Sequence, residues 1–432
     1  MRLKSLVRAV GGLGVLAAAF AVGASGAGGT FVEPGVHVLH QFDGAGPAGT
    51  AFFGWAVSEL GDVDGDHVGE AIVGEPFNGP NNDSGSTYVF SGHTGRLLYR
   101  FDGAPGDWNG FAMADAGDTD GDGVDDILVG SPHNGRGHVD LYSGHTGLLL
   151  HRFKGAQAGD SFGWSVSSAG DVDHDGHADV LIGATQLIAG AGTGYAVIES
   201  GRTYRPIRKL DGEENGDQFG SGAGWTHDVD RDGIPDQIVG ARDAGPGDRG
   251  RVYVFSGRTG AQLFAIDATR HGHDFGSFFV AGVGDVNGDG TPDLYAADYG
   301  DTTNGVDAAG NGSGRAAVYS GRSGRRLLAW LGDAAGAGLG PGRSAGDVDG
   351  DGHPDLIVGS YLSGSGAPQA GKVQIFSGAN GSLLRTITST TAGENLGFDA
   401  VALGDVNLDG VPDEIVSAAN GDHVYVIAGA AH

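Results

Sequence analysis

The stretch Asp118-Thr119-Asp120-Gly121-Asp122-Gly123-Val124-Asp125-Asp126, running directly into Ile127-Leu128-Val129-Gly130, decides how the whole chain is read. Carboxylates at positions one, three and five of a tight loop turn their oxygens toward one centre. Glycine at position six permits the sharp turn that lets the position-seven carbonyl join them. Asp126 at position nine supplies a further oxygen, so the set suits hard calcium, which takes six to eight such ligands. An EF-hand would require Glu at position twelve and a helix on either side. Position twelve is Val129, inside a short β-branched and aliphatic run bounded by turn residues, which reads as a strand.

The loop recurs seven times, beginning at Asp62, Asp118, Asp171, Asp228, Asp285, Asp347 and Asp405. Successive copies lie 56, 53, 57, 57, 62 and 58 residues apart, the period of one repeated supersecondary unit. Position twelve is always an aliphatic residue or alanine: Val73, Val129, Ile182, Val239, Ala296, Val358 and Val416. The expected ligands, with the position-seven residue contributing its carbonyl, are Asp62, Asp64, Asp66, Val68 and Glu70 in the first loop and Asp118, Asp120, Asp122, Val124 and Asp126 in the second. The third and fourth loops offer Asp171, Asp173, Asp175, His177 and Asp179, then Asp228, Asp230, Asp232, Ile234 and Asp236. The fifth to seventh offer Asp285, Asn287, Asp289, Thr291 and Asp293; Asp347, Asp349, Asp351, His353 and Asp355; and Asp405, Asn407, Asp409, Val411 and Asp413. Up to seven calcium ions are expected. The first loop, with His67 for glycine and Glu70 for Asp, is expected to hold its ion more weakly or not at all. Asn287 and Asn407 each remove one charge and should lower affinity. The His177 and His353 rings are expected to point to solvent.

Between loops the pattern reads as four short strands. The run after the loop is followed by a glycine-rich connection, a second apolar run such as Arg251-Val252-Tyr253-Val254-Phe255, a Ser-Gly turn, a more polar strand such as Arg96-Leu97-Leu98-Tyr99-Arg100-Phe101, and a strand entering the next loop. Near-continuous apolar runs mean both faces are covered, and the polar fourth strand suits a solvated edge. Four-stranded sheets stacked radially about an axis meet both demands. The last unit stops after its third strand, at Val424-Tyr425-Val426-Ile427, while residues 36–44 resemble a fourth strand. That offset predicts an all-β, closed seven-bladed β-propeller of four-stranded antiparallel blades, the N-terminal outer strand completing the last blade. The aromatics seven residues before the loops, Trp55, Phe111, Trp164, Phe278 and Phe398, are expected to pack between blades, with Ser221 and Gly340 breaking the column.

A repeat that fills the chain overrides the two or three domains that 432 residues would otherwise suggest. Residues 1–27 read as an export signal: Arg2, Lys4 and Arg8, an apolar stretch from Leu13 to Val22, then small residues. Residues 28–432 are then the propeller, secreted or periplasmic, with no membrane span. The net charge of -29 argues against nucleic acid or an anionic membrane as partner, and seven divalent ions would offset about half of it. Cysteine is absent, leaving no disulfide framework and no thiol nucleophile.

Units such as Phe162-Gly163 through Asp171-Val172-Asp173-His174-Asp175-Gly176 to Ile182-Gly183-Ala184 resemble FG-GAP repeats, those of the integrin α-subunit N-terminal propeller and of many secreted bacterial proteins. The resemblance spans about residues 31–428. It implies calcium in the loop between the first two strands of a blade and ligand binding through the opposite face. Departures are Leu339-Gly340 and Leu396-Gly397 for Phe-Gly, and Ala297-Asp298 and Ser417-Ala418 for the Gly-Ala step.

No nucleophile elbow, His-Glu-x-x-His or phosphate loop is present, and His271-Gly272-His273-Asp274 lacks a complete metal set. No catalytic residue and no enzyme activity are expected. Asn82, Asn311 and Asn380 begin Asn-x-Ser sequons. The expected function is a non-enzymatic binding or adhesion module, acting as a monomer on a protein or cell-surface ligand, glycans included. The alternative is a carbohydrate-binding propeller or a polysaccharide-active enzyme. Candidates on the ligand face are Phe77, Asn78, His133, Arg136, Arg242, Asp243, Tyr299, Asp301 and the exposed aromatics Trp108 and Tyr361.

Overall fold

The computed structural model describes residues 30–44, 48–79, 83–187 and 192–429; the export signal expected at 1–27 and the Asn82 sequon lie outside them. The strands form seven four-stranded antiparallel sheets. In blade three the inner, second, third and outer strands are Phe162–Gly170, Asp179–Ala184, Tyr195–Glu199 and Pro206–Asp211, each paired with the next. Every second strand follows an acidic loop, and Asp126–Ser131, Asp179–Ala184 and Asp355–Ser360 are buried at every position. Outer strands such as Leu149–Lys154 are exposed or half-buried at every position but one. Both patterns are those of the sequence, because a radial sheet covers its middle strands on two faces and solvates its rim. Among the described residues no helix is long and apolar enough to cross a membrane.

The ring closes as the strand count requires. Blade seven joins Leu396–Gly404, Asp413–Ala418 and His423–Ile427 to Val38–Asp43 from the start of the chain, with Val38 opposite Ile427 and Asp43 opposite His423. Phe42 is buried in this sheet and stacks on Phe90 of blade one at 4.0 Å between centroids. The residues before it reach further than the sequence indicated. Thr388 in the outer strand of blade six donates its N–H and hydroxyl to Glu33, at 2.7 and 2.8 Å.

Neighbouring blades meet backbone to backbone. A Cβ on Gly74, Gly130, Gly183, Gly240 or Gly359 of a second strand would fall 2.1, 2.4, 2.3, 1.8 or 2.0 Å from the carbonyl oxygen of Gly110, Gly163, Gly220, Gly276 or Gly397 of the next blade. Only glycine on glycine permits that approach. The two departures from the Gly-Ala step fall at the other two seams. There a Cβ on Gly340 would meet the Ala297 Cβ at 3.3 Å, and one on Gly54 the Ser417 Cβ at 3.0 Å, so these seams already accommodate one side-chain carbon.

The aromatic column is placed differently from expectation. The residue that packs between blades is the first of each Phe-Gly pair or its replacement: Phe53, Phe162, Phe219, Phe275, Leu339 and Leu396, all at most 2 % exposed. Trp55, Phe111, Trp164, Phe278 and Phe398, two or three residues further on, turn to the axis and pack on one another. Trp55 meets Phe111 at 5.4 Å and Phe398 at 5.2 Å, and Phe111 meets Trp164 at 4.8 Å. Phe111 also meets Phe278 at 6.0 Å, a contact between blades two and five that only a crossing of the axis can make. Rings on inner strands have no neighbouring sheet to enter, so they close the end of the channel remote from the acidic loops. Blades four and six, with Ser221 and Gly340, add no ring at that position.

Gly183→Ala should cost about 1–3 kcal/mol or more by overpacking the seam, whereas Gly340→Ala at the looser seam, where the nearest atom to the new Cβ stands 3.2 Å away, should cost less. Urea denaturation midpoints check both. Deleting residues 31–44 should remove the clasp and lower the thermal midpoint sharply, and an unchanged melting curve would rule out closure by that strand.

Candidate metal centres

Each acidic loop is shaped by its own backbone before any ion is considered. The position-one carboxylate accepts N–H groups from later in the loop: Asp171 takes those of Asp175 and Gly176 at 3.1 and 3.0 Å, and Asp347 those of Asp351 and Gly352 at 3.1 and 2.9 Å. The position-five carboxylate accepts the position-seven N–H, from Val68 to Asp66 at 3.0 Å through Val411 to Asp409 at 3.0 Å. Position six is left-handed throughout, with φ between 78° and 93° at the glycines. His67 takes the same turn at φ 71°, and its N–H reaches Asp62 at 2.8 Å. A side chain there costs about 1–2 kcal/mol.

Position nine does work the sequence did not disclose. Glu70, Asp126, Asp179, Asp236, Asp293, Asp355 and Asp413 are fully buried. All except Glu70 accept a backbone N–H from position two of the loop and another from a glycine just after the third strand, which belongs to a Ser-Gly turn in every such blade but the seventh, where it is Gly429 after Ala428. Asp179 takes Val172 at 2.9 Å and Gly201 at 3.2 Å; Asp236 takes Val229 and Gly257, both at 2.8 Å; Asp413 takes Val406 at 2.9 Å and Gly429 at 2.8 Å. One carboxylate therefore staples two turns of the blade. Burial pushes these carboxyls up: to about 8 for Glu70, about 7 for Asp179, about 6 for Asp126, Asp236 and Asp293, and upward for Asp355 and Asp413.

Five loops draw at least three carboxylates together, one oxygen from each lying within 4.8 Å of the others. These are Asp62, Asp64, Asp66 and Glu70; Asp118, Asp120 and Asp122; Asp171, Asp173 and Asp179; Asp228, Asp230 and Asp236; and Asp347, Asp349 and Asp351. The first loop, expected to be weakest, gathers four, because the longer Glu70 reaches the group. In the fifth and seventh loops the amide stands at position three, where Asn287 donates to Asp293 at 2.9 Å and Asn407 to Asp413 at 3.2 Å. Glu70 Oε1 and Asn407 Oδ1 are buried acceptors without a hydrogen-bond partner. Unpaired buried oxygens among converged carboxylates are the donor set of a hard divalent cation.

Consecutive loops touch around the ring, which spacing along the chain cannot reveal. The His177 ring, expected in solvent, donates from Nδ1 to the Thr119 carbonyl of the preceding loop at 2.9 Å. His353 likewise turns inward, its Nδ1 buried and its ring 3.4 Å from where a Cβ of Gly288 would stand. Arg231 reaches forward to the Asp289 carbonyl at 3.1 Å and the Thr291 hydroxyl at 2.7 Å.

At the opposite end most candidates are held by the fold. Trp108 is half-buried, stacked on His133 at 4.0 Å and edge-on to Phe77 at 5.2 Å. Tyr361 is half-buried against Phe398. Neither is the exposed platform expected. Arg242 pairs with Asp274, Asn78 donates to Glu75 at 2.6 Å, Gln218 donates to Asp243, and Asp301 is buried beneath Arg315 at 3.0 Å. Arg136 is exposed. The His271 to His273 segment gathers no third metal ligand among the described residues.

Comparison with known proteins agrees with this construction. The FG-GAP repeat family matches residues 162–198, and the FG-GAP-like repeat family matches residues 347–416. Integrin alpha-5 of Xenopus laevis is 32% identical over 214 residues, 45% of this chain and 20% of that protein. Integrin alpha-V of Gallus gallus is 31% identical over 210 residues, 44% of this chain and 20% of that protein. Integrin alpha-IIb of Homo sapiens is 32% identical over 211 residues. The match thus spans about a fifth of the length of these relatives. Among solved structures, the Dos1 propeller superposes with a TM-score of 0.52 over 92% of this chain and 96% of that one, at 13% identity, a likeness of fold alone.

Asp179→Ala should strand the Val172 and Gly201 N–H groups and cost about 2–4 kcal/mol even in chelator, while Asp179→Asn, keeping an acceptor, should cost less. Chemical denaturation in EDTA separates this staple from any loss of metal.

Proposed function

We propose, for a chain that carries FG-GAP repeats and resembles integrin α subunits over nearly half its length, that it is an exported, calcium-stabilised, non-enzymatic propeller that binds a partner through the loops opposite its metal centres. The convergence of carboxylates at the same place in blade after blade carries the calcium reading. Glu70 and Asn407 add buried oxygens that a cation would satisfy. The ligands are those named loop by loop above, from Asp62 to Asp413. Calcium supplies fixed positive charge there; the chain's own residues shape each loop and bind it to the blade. Export rests on the basic-then-apolar residues 1–27, and adhesion on the resemblance.

The partner face is argued from variation. Metal loops keep one spacing, whereas connections from second to third strand run from residues 419–422 in blade seven to 299–314 in blade five. Variable loops on a rigid frame are where recognition residues gather. A protein or cell-surface ligand, including a glycan, is the class we favour. The half-buried Trp108 and Tyr361 leave the carbohydrate-enzyme reading without a specific observation in its favour.

Metal analysis of the dialysed, folded chain should find at least five calcium ions per molecule; fewer would contradict the assignment. The acidity shifts predict a sign. In EDTA, carboxyls raised from about 4 toward 6–8 contribute stability below pH 4 that is lost as pH climbs through their folded values, so the melting temperature should fall between pH 5 and 8. Calcium, which binds the ionised form, should raise the melting temperature more at pH 8 than at pH 5.5 and release protons on binding near pH 6.5. Melting scans with and without calcium, and titration calorimetry in two buffers, test this. A partner screen of proteins and glycans should give hits lost in EDTA.

A further inference from the structure

The axis of the ring holds a cavity of about 580 Å³, within the size range of small-molecule sites. The inner strands wall it, and small residues such as Ala56, Ala114, Ser167 and Gly224 leave it wide. Trp55, Phe111, Trp164, Phe278 and Phe398 form its floor, touching across the axis as described above. In blades one and two accessibility grows along the inner strand away from that floor: Trp55 is buried and Glu59 exposed, and Phe111 is buried while Ala114 and Asp115 are half-buried. The cavity therefore opens among the metal loops, at the end opposite the face proposed for a macromolecular partner.

Its charge is one-sided. Four carboxylates line it, those of Glu59, Asp115, Asp125 and Asp399, against one guanidinium, that of Arg343. That guanidinium is already committed, with Nη2 on both Asp399 oxygens at 3.1 and 3.2 Å and Nη1 on the Val57 carbonyl at 3.1 Å. Asp399 also accepts the Val57 N–H at 3.0 Å, so this pair is internally satisfied and offers an anion nothing. Asp115 accepts the N–H groups of Gly61 and Gly117, at 3.1 and 2.6 Å, and stands toward the mouth beside the exposed Glu59. Glu59 is not among the expected calcium ligands, so filling the loops leaves its charge in place.

An aromatic floor, small-residue walls and a carboxylate mouth select one ligand chemistry. We infer that the axial cavity is a binding site for a small organic cation with a planar aromatic body. The ring enters first and lies against Trp55, Phe111 and Trp164, where apolar burial and the negative faces of the rings hold it. The positive group remains near Glu59 and Asp115. An anion of the same shape meets the exposed Glu59 carboxylate at the mouth and is repelled.

Equilibrium dialysis of the calcium-loaded full chain against N-methylquinolinium tests it, with quinoline-2-carboxylate as the anion of matched shape. One saturable site for the cation is expected, at submillimolar Kd, with no uptake of the anion. Glu59→Gln, at an exposed position, should weaken binding about fivefold or more, and Ala114→Trp, which fills the cavity, should abolish it. Equal uptake of cation and anion, absence of cation uptake, or binding unchanged in the folded Ala114→Trp chain would overturn the inference. Should Ala114→Trp melt early, Ala223→Phe on the opposite wall fills the same space and decides the question with Glu59→Gln.

Discussion

Everything in this ring depends on blades that approach until backbone meets backbone. At five seams a second-strand glycine lies against a glycine carbonyl of the next blade, with no room for even one side-chain carbon. Such contact sets the angle between sheets, and that angle determines whether seven of them close. It also places the preceding residue, Phe162, Phe219 or Phe275 for example, in the wedge between sheets, where it is buried almost completely. The Phe-Gly and Ile-Gly or Val-Gly steps are thus two halves of one joint, separated in the chain and joined in space. Where the joint carries Ala297 or Ser417 the seam is wider, and the repeat tolerates it because each blade has its own hydrogen-bonded sheet.

The acidic loops depend on the same frame. Their position-nine carboxylates are buried by the blade, and burial raises their affinity for protons as it prepares them for a cation. A carboxylate that accepts two backbone N–H groups holds the metal loop and the outer hairpin of its blade in fixed relation. Loop-to-loop contacts, such as His177 to Thr119 and Arg231 to Thr291, then join the centres around the rim. Carboxylate and backbone in this arrangement supply cross-linking that a cysteine-free chain cannot draw from disulfides.

A channel follows from ring geometry, and the chain treats its two ends differently. Large rings at the beginning of the inner strands close one end, while alanine, serine and glycine beyond them keep the other open. The open end concentrates negative charge above an aromatic surface. These are separate physical environments, and each can serve a different partner.

Much of this was legible in the residues. Spaced carboxylates repeating in phase with short apolar runs are local patterns, so blade number and strand number could be read directly. Even closure was readable, since three strands at one terminus and one at the other can be completed only by pairing them. What could not be read concerns contacts between residues far apart in sequence. The direction of Trp55 and Phe111 toward the axis, the turning of His177 onto a neighbouring loop, the burial of Trp108 and the second hydrogen bond of each position-nine carboxylate all depend on where the next blade stands. The sequence by itself determined the repeat, its chemistry and its number; only the tertiary structure decided which side chains face the seam, the axis or water, because those directions are set by the angle at which one sheet packs against the next.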